Sequence, residues 1–427
     1  MDGRAQGAMN AQPISLILDQ HAEDAAVLFN SCTVLRRAPH VRLRHLLRFE
    51  NRLAAHLDGL AIGGEAAVQA CDSALELPAS GAMFCAAVSA IEDQRSERLE
   101  RLIALAMAVP ATQRGLRGAF GWVESGRLRG IVAEMLASAD DFRRALAAAA
   151  CGMHRVDPGI TVERRFGDES PFVRARIWRT AGEVGRRELV STAAAAALAD
   201  EDLTCQFWAA WTAVLLGDTH AGLEALTDFA ATPGQFRTRA FQLTLQAMEL
   251  DSAHAWLASL PKEVGNLRWL IRGSGFIGDP AYVSWLIGLM GDERATRLAG
   301  EAFSLMTGVD LAWLDLERKP PENFESGPND DPDDPNVDMD EDDGLPWPDV
   351  EKIKTWWTAN GGRFQSGTRY FMGEPLNREN CVRVLKEGFQ RQRIAAAIYL
   401  SLLNPGTPLF EWRAPARRQQ RLLAQMT

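Results

Sequence analysis

Apolar residues recur three or four positions apart along most of the chain, which is the spacing of one face of an α-helix. Leu43, Leu46 and Leu47 mark one such face, and Leu99 and Leu102 mark another. Strict alternation of apolar and polar positions, which would indicate half-buried strands, is scarce. The breaks between patterned stretches are short and carry Gly, Pro or Asp. The pattern predicts an all-α protein of many helices, each of some 10 to 15 residues, joined by short turns.

Two of these helical stretches align without a gap. Residues 168–185 and 200–217 share five identities at an offset of 32, including an acidic start and a closing glycine. Residues 142–152 match 172–182 at an offset of 30, and the same order of features returns around 292–308. The acidic residue would cap the helix, and the glycine would permit a left-handed turn into the next one.

A helix pair of this kind buries its apolar face only when copies stack on one another. The spacing therefore predicts an α-solenoid, an array in which each repeat contacts its neighbours. The alternative is a single globular helical domain whose helices look alike by chance.

The repeat resembles a known family. Asp168-Glu169, then Val173-Arg174-Ala175 and a closing glycine are similar to the HEAT-like repeat in its short bacterial form. The order of HEAT-like repeats, an acidic break and the stretch 345–410, which begins LPWPDVEKIKTWW and ends NPGTPLF, resembles a family of functionally uncharacterised bacterial proteins often described near type VI secretion genes. This resemblance covers most of the chain, and the C-terminal stretch is its most specific part. It implies a HEAT-like solenoid that binds an effector, an immunity factor or an adaptor, and it transfers no catalytic or binding residue.

Composition divides the chain into four predicted segments. These are an N-terminal helical segment (1–60), the HEAT-like solenoid (61–318), an acidic linker (319–344) and a C-terminal helical module that caps the solenoid (345–427). The net charge is −10, but residues 322–343 hold eleven acidic and no basic side chains, so the rest of the chain sums to +1. Residues 363–427 hold eleven basic and four acidic side chains. The protein is therefore a nearly neutral body with one acidic segment and one basic end.

The acidic segment combines dense like charge, several prolines and few apolar residues, and this predicts a disordered linker. Asp338, Asp340, Asp342 and Asp349 approach the spacing of a calcium-binding loop. Gly344 then falls at the seventh position of that loop, where the motif needs glycine at the sixth, so we predict no metal site.

The basic C-terminal module has three interpretations. The acidic segment folds back and neutralises it, or it docks an acidic protein, or it binds nucleic acid, which we consider the weakest of the three because the whole chain is acidic. Aromatic and arginine side chains dominate the energetics of protein interfaces. On that basis the candidate partner-binding residues are Trp356, Trp357, Arg363, Arg369, Tyr370, Arg391 and Arg393 in the module, with Trp208 and Trp211, three apart on one helix face, in the repeats.

No catalytic residue or cofactor is predicted. Gly273 to Gly278 match the G-x-G-x-x-G dinucleotide fingerprint, but the residues before them have helical spacing and Gly278 begins a repeat turn. An enzyme alternative exists, because some bacterial lyases are built from similar repeats. Its signature would be a polar pocket with convergent ionisable groups.

The compartment is predicted to be the cytoplasm. Six cysteines without a C-x-x-C pair indicate reduced thiols, and the N-terminal residues do not have the pattern of a signal peptide. The longest uncharged apolar run, 203–217, is too short to cross a bilayer. The sequence as a whole predicts a non-enzymatic scaffold or adaptor whose partner is another protein.

Overall fold

The computed structural model describes residues 14–426 except 261–263, 323, 325, 326 and 328–338. The described chain is mostly helical, which confirms the predicted all-α class. The helices, numbered in chain order, are α1 (Ser15–Leu35), α2 (Leu43–Ala74), α3 (Ser80–Glu92), α4 (Ser96–Ala108), α5 (Gln113–Trp122), α6 (Ile131–Ala137), α7 (Asp141–His154), α8 (Ile160–Glu163), α9 (Pro171–Val184), α10 (Val190–Ala199), α11 (Leu203–Leu215), α12 (Ala221–Ala231), α13 (Arg237–Ala247), α14 (Leu250–Ser259), α15 (Leu267–Ile277), α16 (Val283–Leu289), α17 (Thr296–Thr307), α18 (Val350–Asn360), α19 (Arg378–Glu387), α20 (Gln390–Leu403) and α21 (Ala416–Ala424).

Short 3-10 helices and strands connect these helices. The 3-10 helices span Pro110–Thr112, Ser125–Leu128, Arg187–Leu189, Val264–Asn266, Pro280–Tyr282 and Gly361–Arg363. Two antiparallel pairs of two-residue strands are present, β1 (Glu317–Arg318) with β2 (Trp347–Pro348) and β3 (Tyr370–Phe371) with β4 (Glu374–Pro375). Across the described residues, no helix has both the length and the apolar character needed to cross a bilayer.

The chain folds into two compact units. Among the described residues, the first unit comprises residues 14–35 and Arg44–Ala150, and the second comprises Arg36–Leu43 and the residues from Cys151 onward.

The first unit is organised around α3. Nearly every residue of α3 from Ser80 to Ile91 is buried, so this helix is packed on all sides, with α1, α4 and α5 against it. Phe29 of α1 stacks on Phe84 of α3 with ring centroids 4.1 Å apart. The second helix, α2, bends at Gly64, whose φ of 54° is outside the helical region.

In the second unit, alternate helices are neighbours. α9 packs on α11, α11 on α13, α13 on α15 and α15 on α17. α12 packs against both α11 and α13, and α10 packs against α11 and α12. A buried threonine recurs at the predicted 32-residue offset, as Thr180, Thr212 and Thr244, and each is fully buried. The hydroxyl of Thr212 donates to the carbonyl of Trp178 on the preceding helix of the series, at 2.7 Å.

The helix ends agree in part with the predicted turn chemistry, because Ser170, the N-cap residue of α9, provides no side-chain cap. Asp202 caps α11 by accepting hydrogen bonds from the backbone N–H groups of Thr204 and Cys205. The closing glycines Gly185, Gly217 and Gly308 have φ values of 80°, 103° and 73°, which confirms the left-handed turn. A Cβ atom at Gly185 would also lie 2.4 Å from the carbonyl oxygen of Gly406, so the C-terminal module approaches this helix end closely.

The dinucleotide fingerprint lies within a helix. Gly273 and Gly275 belong to α15, and Gly278 ends it in the left-handed conformation. The strand and the parallel sheet that the fingerprint requires do not flank this position, where the neighbours are helices. Gly275 instead lets α15 approach Ala302 of α17.

The C-terminal module packs directly on the repeat helices. Ile353, Phe364 and Tyr370 join a hydrophobic cluster with residues of α15, α16 and α17, and α20 contacts α11 and α13. The pairing of β1 with β2 joins the two ends of the acidic segment at its base, since Arg318 faces Trp347. The predicted disorder of that segment falls largely on residues outside the described part of the chain.

Candidate functional site

A cavity of about 1460 Å³ lies in the second unit. Helices α9, α11, α13, α15 and α17 each contribute side chains to its wall, and α20 and the loops around residues 37–40, 310–320, 339–347 and 409–413 complete the lining. Side chains of five alternate helices thus line a single space.

Trp208 and Trp211 of α11 both line this cavity, as their shared helix face predicts. Their rings meet edge to face with centroids 5.3 Å apart. Both are mostly buried, with 8% and 7% exposure, so they form part of the wall and do not project from it. The guanidinium of Arg179 lies over Trp208 at 4.6 Å from the ring centroid.

Two carboxylates of the cavity lining, Glu183 and Glu411, are paired with arginines. Glu183 of α9 accepts hydrogen bonds from Arg176 at 2.6 Å and Arg179 at 2.8 Å, and Glu411 pairs with Arg155 at 2.9 Å. Burial alone would raise the pKa of Glu183. Attraction to the surrounding arginines outweighs burial and holds the pKa far below its usual value of 4.5, so this carboxylate is charged at neutral pH.

Further arginines of the lining lack such partners. In the part of the chain that the structure describes, Arg37, Arg239, Arg318 and Arg413 line the cavity but make no ion pair and no side-chain hydrogen bond. Burial, followed by repulsion from Arg179 and Arg37, lowers the pKa of Arg239 to about 10. Burial and repulsion from Arg179 also lower the pKa of Arg413. The lining around these two arginines therefore holds more positive than negative charge.

Tryptophan faces support two of these guanidinium groups. Arg413 lies over Trp412 at 4.4 Å from the ring centroid, and Arg239 lies 5.8 Å from that of Trp208. A stacked guanidinium contacts the ring through its face, so the N–H donors at its edge stay available. We call Arg37, Arg179, Arg239 and Arg413 with Trp208 and Trp412 the arginine–tryptophan cluster.

The chain's own acidic stretch 340–342 contributes Asp340 and Glu341 to the lining. Asp340 pairs with Arg297 at 2.6 Å, and Asp342 pairs with Arg268 at 2.7 Å. Glu341 pairs with Arg272 at 2.8 Å. These contacts are made to α15 and α17. Asp340 and Asp342, whose spacing approaches that of a calcium-binding loop, are thus paired with arginines. Asp349 caps α18, and Asp338 is outside the described residues.

Arg391 links the basic module to the acidic stretch 340–342. Its guanidinium pairs with Glu301 of α17 at 2.9 Å and donates to the backbone carbonyl of Glu341 at 2.7 Å. Among the described residues, the acidic segment meets the basic module at this contact, and the side-chain ion pairs of residues 340–342 are made to α15 and α17.

Trp356, Trp357 and Arg363 lie together away from the cavity lining. The two indoles stack with centroids 6.5 Å apart and pack half-buried against Phe303. The exposed Arg363 lies 5.6 Å from the ring of Trp356. Their packing attaches α18 to α17.

Arg369, Tyr370 and Arg393 make hydrogen bonds within the fold. Arg369 donates to the carbonyls of Leu245, Gln246 and Met248 at the end of α13. The hydroxyl of Tyr370 donates to the carbonyl of Arg363. Arg393 is fully buried and donates to Gln390, Gln419 and the carbonyl of Leu385. Of the nine predicted residues, Trp208, Trp211 and Arg391 reach the cavity.

Sequence reasoning missed Arg37, Arg179, Arg239 and Arg413. One signal was available, because Arg179 aligns with Trp211 at the 32-residue offset and so shares its helix face. No pattern in the sequence indicated that Arg37 and Arg413, which lie on distant loops, would line the same cavity.

A hydrogen-bonded chain of Tyr282, His254 and Asp279 lies outside the cavity. The phenol meets Nδ1 of the imidazole at 2.8 Å, and Nε2 meets the buried carboxylate at 2.9 Å. Burial raises the pKa of Tyr282 to about 12, which disfavours a phenolate nucleophile. Asp279 also accepts from the N–H of Gly367, so the chain ties α14 and the C-terminal module to the end of α15.

Within the described residues, no group of three or more His, Cys, Asp or Glu side chains is arranged to hold a metal ion. No protein-family model, curated protein or solved structure matches the chain.

Proposed function

We propose that this protein is a non-enzymatic interaction protein that holds a segment of a partner protein in the cavity of its second unit. The observation that carries the proposal is a cavity lined by side chains of five alternate helices, with unpaired arginines in its wall. Its volume of about 1460 Å³ exceeds the 300–1,000 Å³ or so of common small-molecule sites, and a peptide segment needs such room.

An exposed aromatic side chain beside the cavity supports the same conclusion. Trp313 is 84% exposed, and it lies between Ala312 and Asp315, which both line the cavity. A tryptophan held in water is costly unless a partner covers it, and tryptophan is the residue most enriched among energetic anchors of interfaces. The neighbouring Leu314 is also exposed, at 45%.

We further propose that the second unit is a short solenoid of HEAT-like repeats. The support is the series α9, α11, α13, α15 and α17, in which each helix packs on the next, together with the buried threonines at a period of 32 residues. By the sequence resemblance, the partner would be a type VI secretion effector, immunity factor or adaptor. The six buried free thiols favour the cytoplasm as the compartment.

The experiment is affinity purification of the full chain from its native host, followed by mass spectrometry. The comparison is a variant with reversed charge in the cavity, Arg239→Glu with Arg413→Glu, whose folding is checked by circular dichroism. A protein that wild type retains and the variant loses, and that re-forms a complex from purified components, supports the proposal. Equal recovery of all proteins by both would contradict it.

An enzyme is the second candidate function, because the cavity brings ionisable groups together as the lyase alternative requires. Against it, Glu183 is held fully charged and the arginines are poor proton donors, whereas a general acid or base needs a pKa near the working pH. Native mass spectrometry of the freshly purified protein tests this alternative. A small anionic molecule that co-purifies and is converted on incubation would favour the enzyme.

A further inference from the structure

We infer that the arginine–tryptophan cluster is a binding site for side-chain carboxylates, and that the partner segment it receives is rich in Asp and Glu. This inference rests on the proposed function and names the chemistry of the partner. It also goes beyond the sequence prediction, which placed the acidic partner on the basic C-terminal module.

The other arginines of the same wall are paired. Arg155, Arg179, Arg272 and Arg391 each contact the carboxylate of a Glu side chain. Arg37, Arg239 and Arg413 contact no such group among the described residues, and neither does Arg318 of the same lining. The guanidinium groups of Arg37, Arg239 and Arg413 are therefore available to the carboxylates of a partner.

The chain's own acidic stretch 340–342 shows how consecutive carboxylates bind arginines of this unit. Asp340, Glu341 and Asp342 are consecutive, and their three carboxylates contact Arg297, Arg272 and Arg268 on two neighbouring helices. A short run of adjacent acidic residues thus spans arginines on successive repeats. A second acidic run at the arginine–tryptophan cluster would meet arginines of α9 and α13 in the same way.

The cluster also concentrates positive charge. Burial is the larger cause of the lowered pKa of Arg239 and Arg413, and repulsion from Arg179 adds to it. Arriving carboxylates relieve this repulsion and gain charge-assisted hydrogen bonds in a partly buried site, where such bonds are strongest. The tryptophan faces keep the donors in place, so little ordering remains to be done on binding.

The test uses the full chain and a fluorescent peptide with the sequence of residues 339–344, Met-Asp-Glu-Asp-Asp-Gly. Fluorescence anisotropy should detect binding that weakens steeply between about 50 mM and 500 mM NaCl, because added salt screens the charges. The double variant Arg239→Gln with Arg413→Gln should bind at least about tenfold more weakly. A peptide with Asn and Gln in place of Asp and Glu should not bind.

Two further variants make the assignment specific. Arg164→Gln with Arg294→Gln removes two exposed arginines of the same unit outside the cavity lining, and it should bind as wild type does. Arg268→Gln with Arg272→Gln removes the acidic stretch's own partners, and it should not weaken peptide binding. If this variant abolishes binding while the Arg239 and Arg413 pair is without effect, the peptide is exchanging with the chain's own residues and the inference is wrong.

Failure of this inference is distinguishable from failure of the proposed function. If no acidic peptide binds but inorganic phosphate or pyrophosphate does, the site takes phosphoryl groups and the carboxylate assignment is overturned. If a purified protein partner still binds through the cavity without an acidic segment, the proposed function holds and the inference fails. Binding of the peptide at the cluster, lost in the Arg239 and Arg413 pair alone, supports it.

Discussion

The hydroxyl of Thr212 on α11 donates a hydrogen bond to the backbone carbonyl of Trp178 on α9, at 2.7 Å, in a fully buried position. The bond joins two helices that align at the 32-residue offset. It therefore ties α11 to α9, and both helices contribute side chains to the cavity wall.

Thr212→Val removes this bond with little change in side-chain shape. We expect the free energy of unfolding to fall by about 1 kcal/mol, the usual net value of one buried hydrogen bond, in urea unfolding followed by circular dichroism. Thr227→Val is the control, because the Thr227 hydroxyl bonds within its own helix and is only half-buried. Equal losses in the two variants would contradict a role in joining repeats.

Glu183→Gln tests the buried carboxylate in the cavity wall. Removing the carboxylate leaves Arg176 and Arg179 uncompensated, so we expect a loss of roughly 3–5 kcal/mol in the free energy of unfolding at pH 7. The dependence on pH should change as well. Because the folded-state pKa of Glu183 lies below its usual 4.5, the stabilisation is complete above that pH and is lost as the pH falls further.

Urea unfolding between about pH 2.5 and 7 measures this difference. Wild type should lose stability more steeply than Glu183→Gln as the solution is acidified below about pH 4.5. The exposed Glu169 supplies the control, since Glu169→Gln should leave both the stability and its acid dependence nearly unchanged. Parallel curves for wild type and Glu183→Gln would contradict the arrangement described here.

The acidic stretch 340–342 is expected to stabilise the fold through Asp340 and Asp342. Asp340 and Asp342 form largely buried ion pairs with Arg297 and Arg268. The double variant Asp340→Asn with Asp342→Asn should lower the free energy of unfolding by about 3 kcal/mol, since it leaves the arginines without their carboxylates. Thermal unfolding by calorimetry provides the measurement.

Asp343→Asn is the matched control, because Asp343 follows in sequence but is exposed. It should change the melting temperature by little. A double variant as stable as the control would show that the contacts of the acidic stretch do not contribute, and the whole of residues 322–343 would then fit the linker prediction.

Trp313→Ala tests the exposed anchor beside the cavity. The side chain is 84% exposed, so we expect the free energy of unfolding to stay within about 0.5 kcal/mol of wild type. The affinity for the protein partner should fall by about 30-fold, which corresponds to about 2 kcal/mol. Isothermal titration calorimetry with the purified partner checks this, and Leu203→Ala, another exposed apolar side chain, should bind normally.

Several local features of the fold could be read from the sequence. The acidic cap at Asp202 and the left-handed glycines at Gly185 and Gly217 were predictable, since capping and turn conformations depend on a few adjacent residues. The offset of 32 residues relates Thr180, Thr212 and Thr244, which are all fully buried. The shared face of Trp208 and Trp211 followed from helix geometry, and both residues line the cavity.

The candidate site itself was not predictable in this way. Arg369 and Arg393 have the composition of a docking surface, yet their guanidinium groups are consumed by backbone carbonyls and glutamines inside the fold. Arg239 is an ordinary arginine in the sequence, and its significance comes from neighbours more than thirty residues away. A side chain's partners depend on which distant segments pack beside it, and helical periodicity carries no information about them.

The all-α class, the acidic cap of α11 and the separation of an acidic segment from a basic end could all be read from the sequence. These are consequences of spacing, local hydrogen bonding and charge count. Only the tertiary structure decided where the charges balance. It set Asp340, Glu341 and Asp342 on arginines of α15 and α17, and it left Arg239 and Arg413 unpaired across the cavity. Coulombic pairing acts over a few ångströms in space, so it is established only when chain packing brings distant residues together.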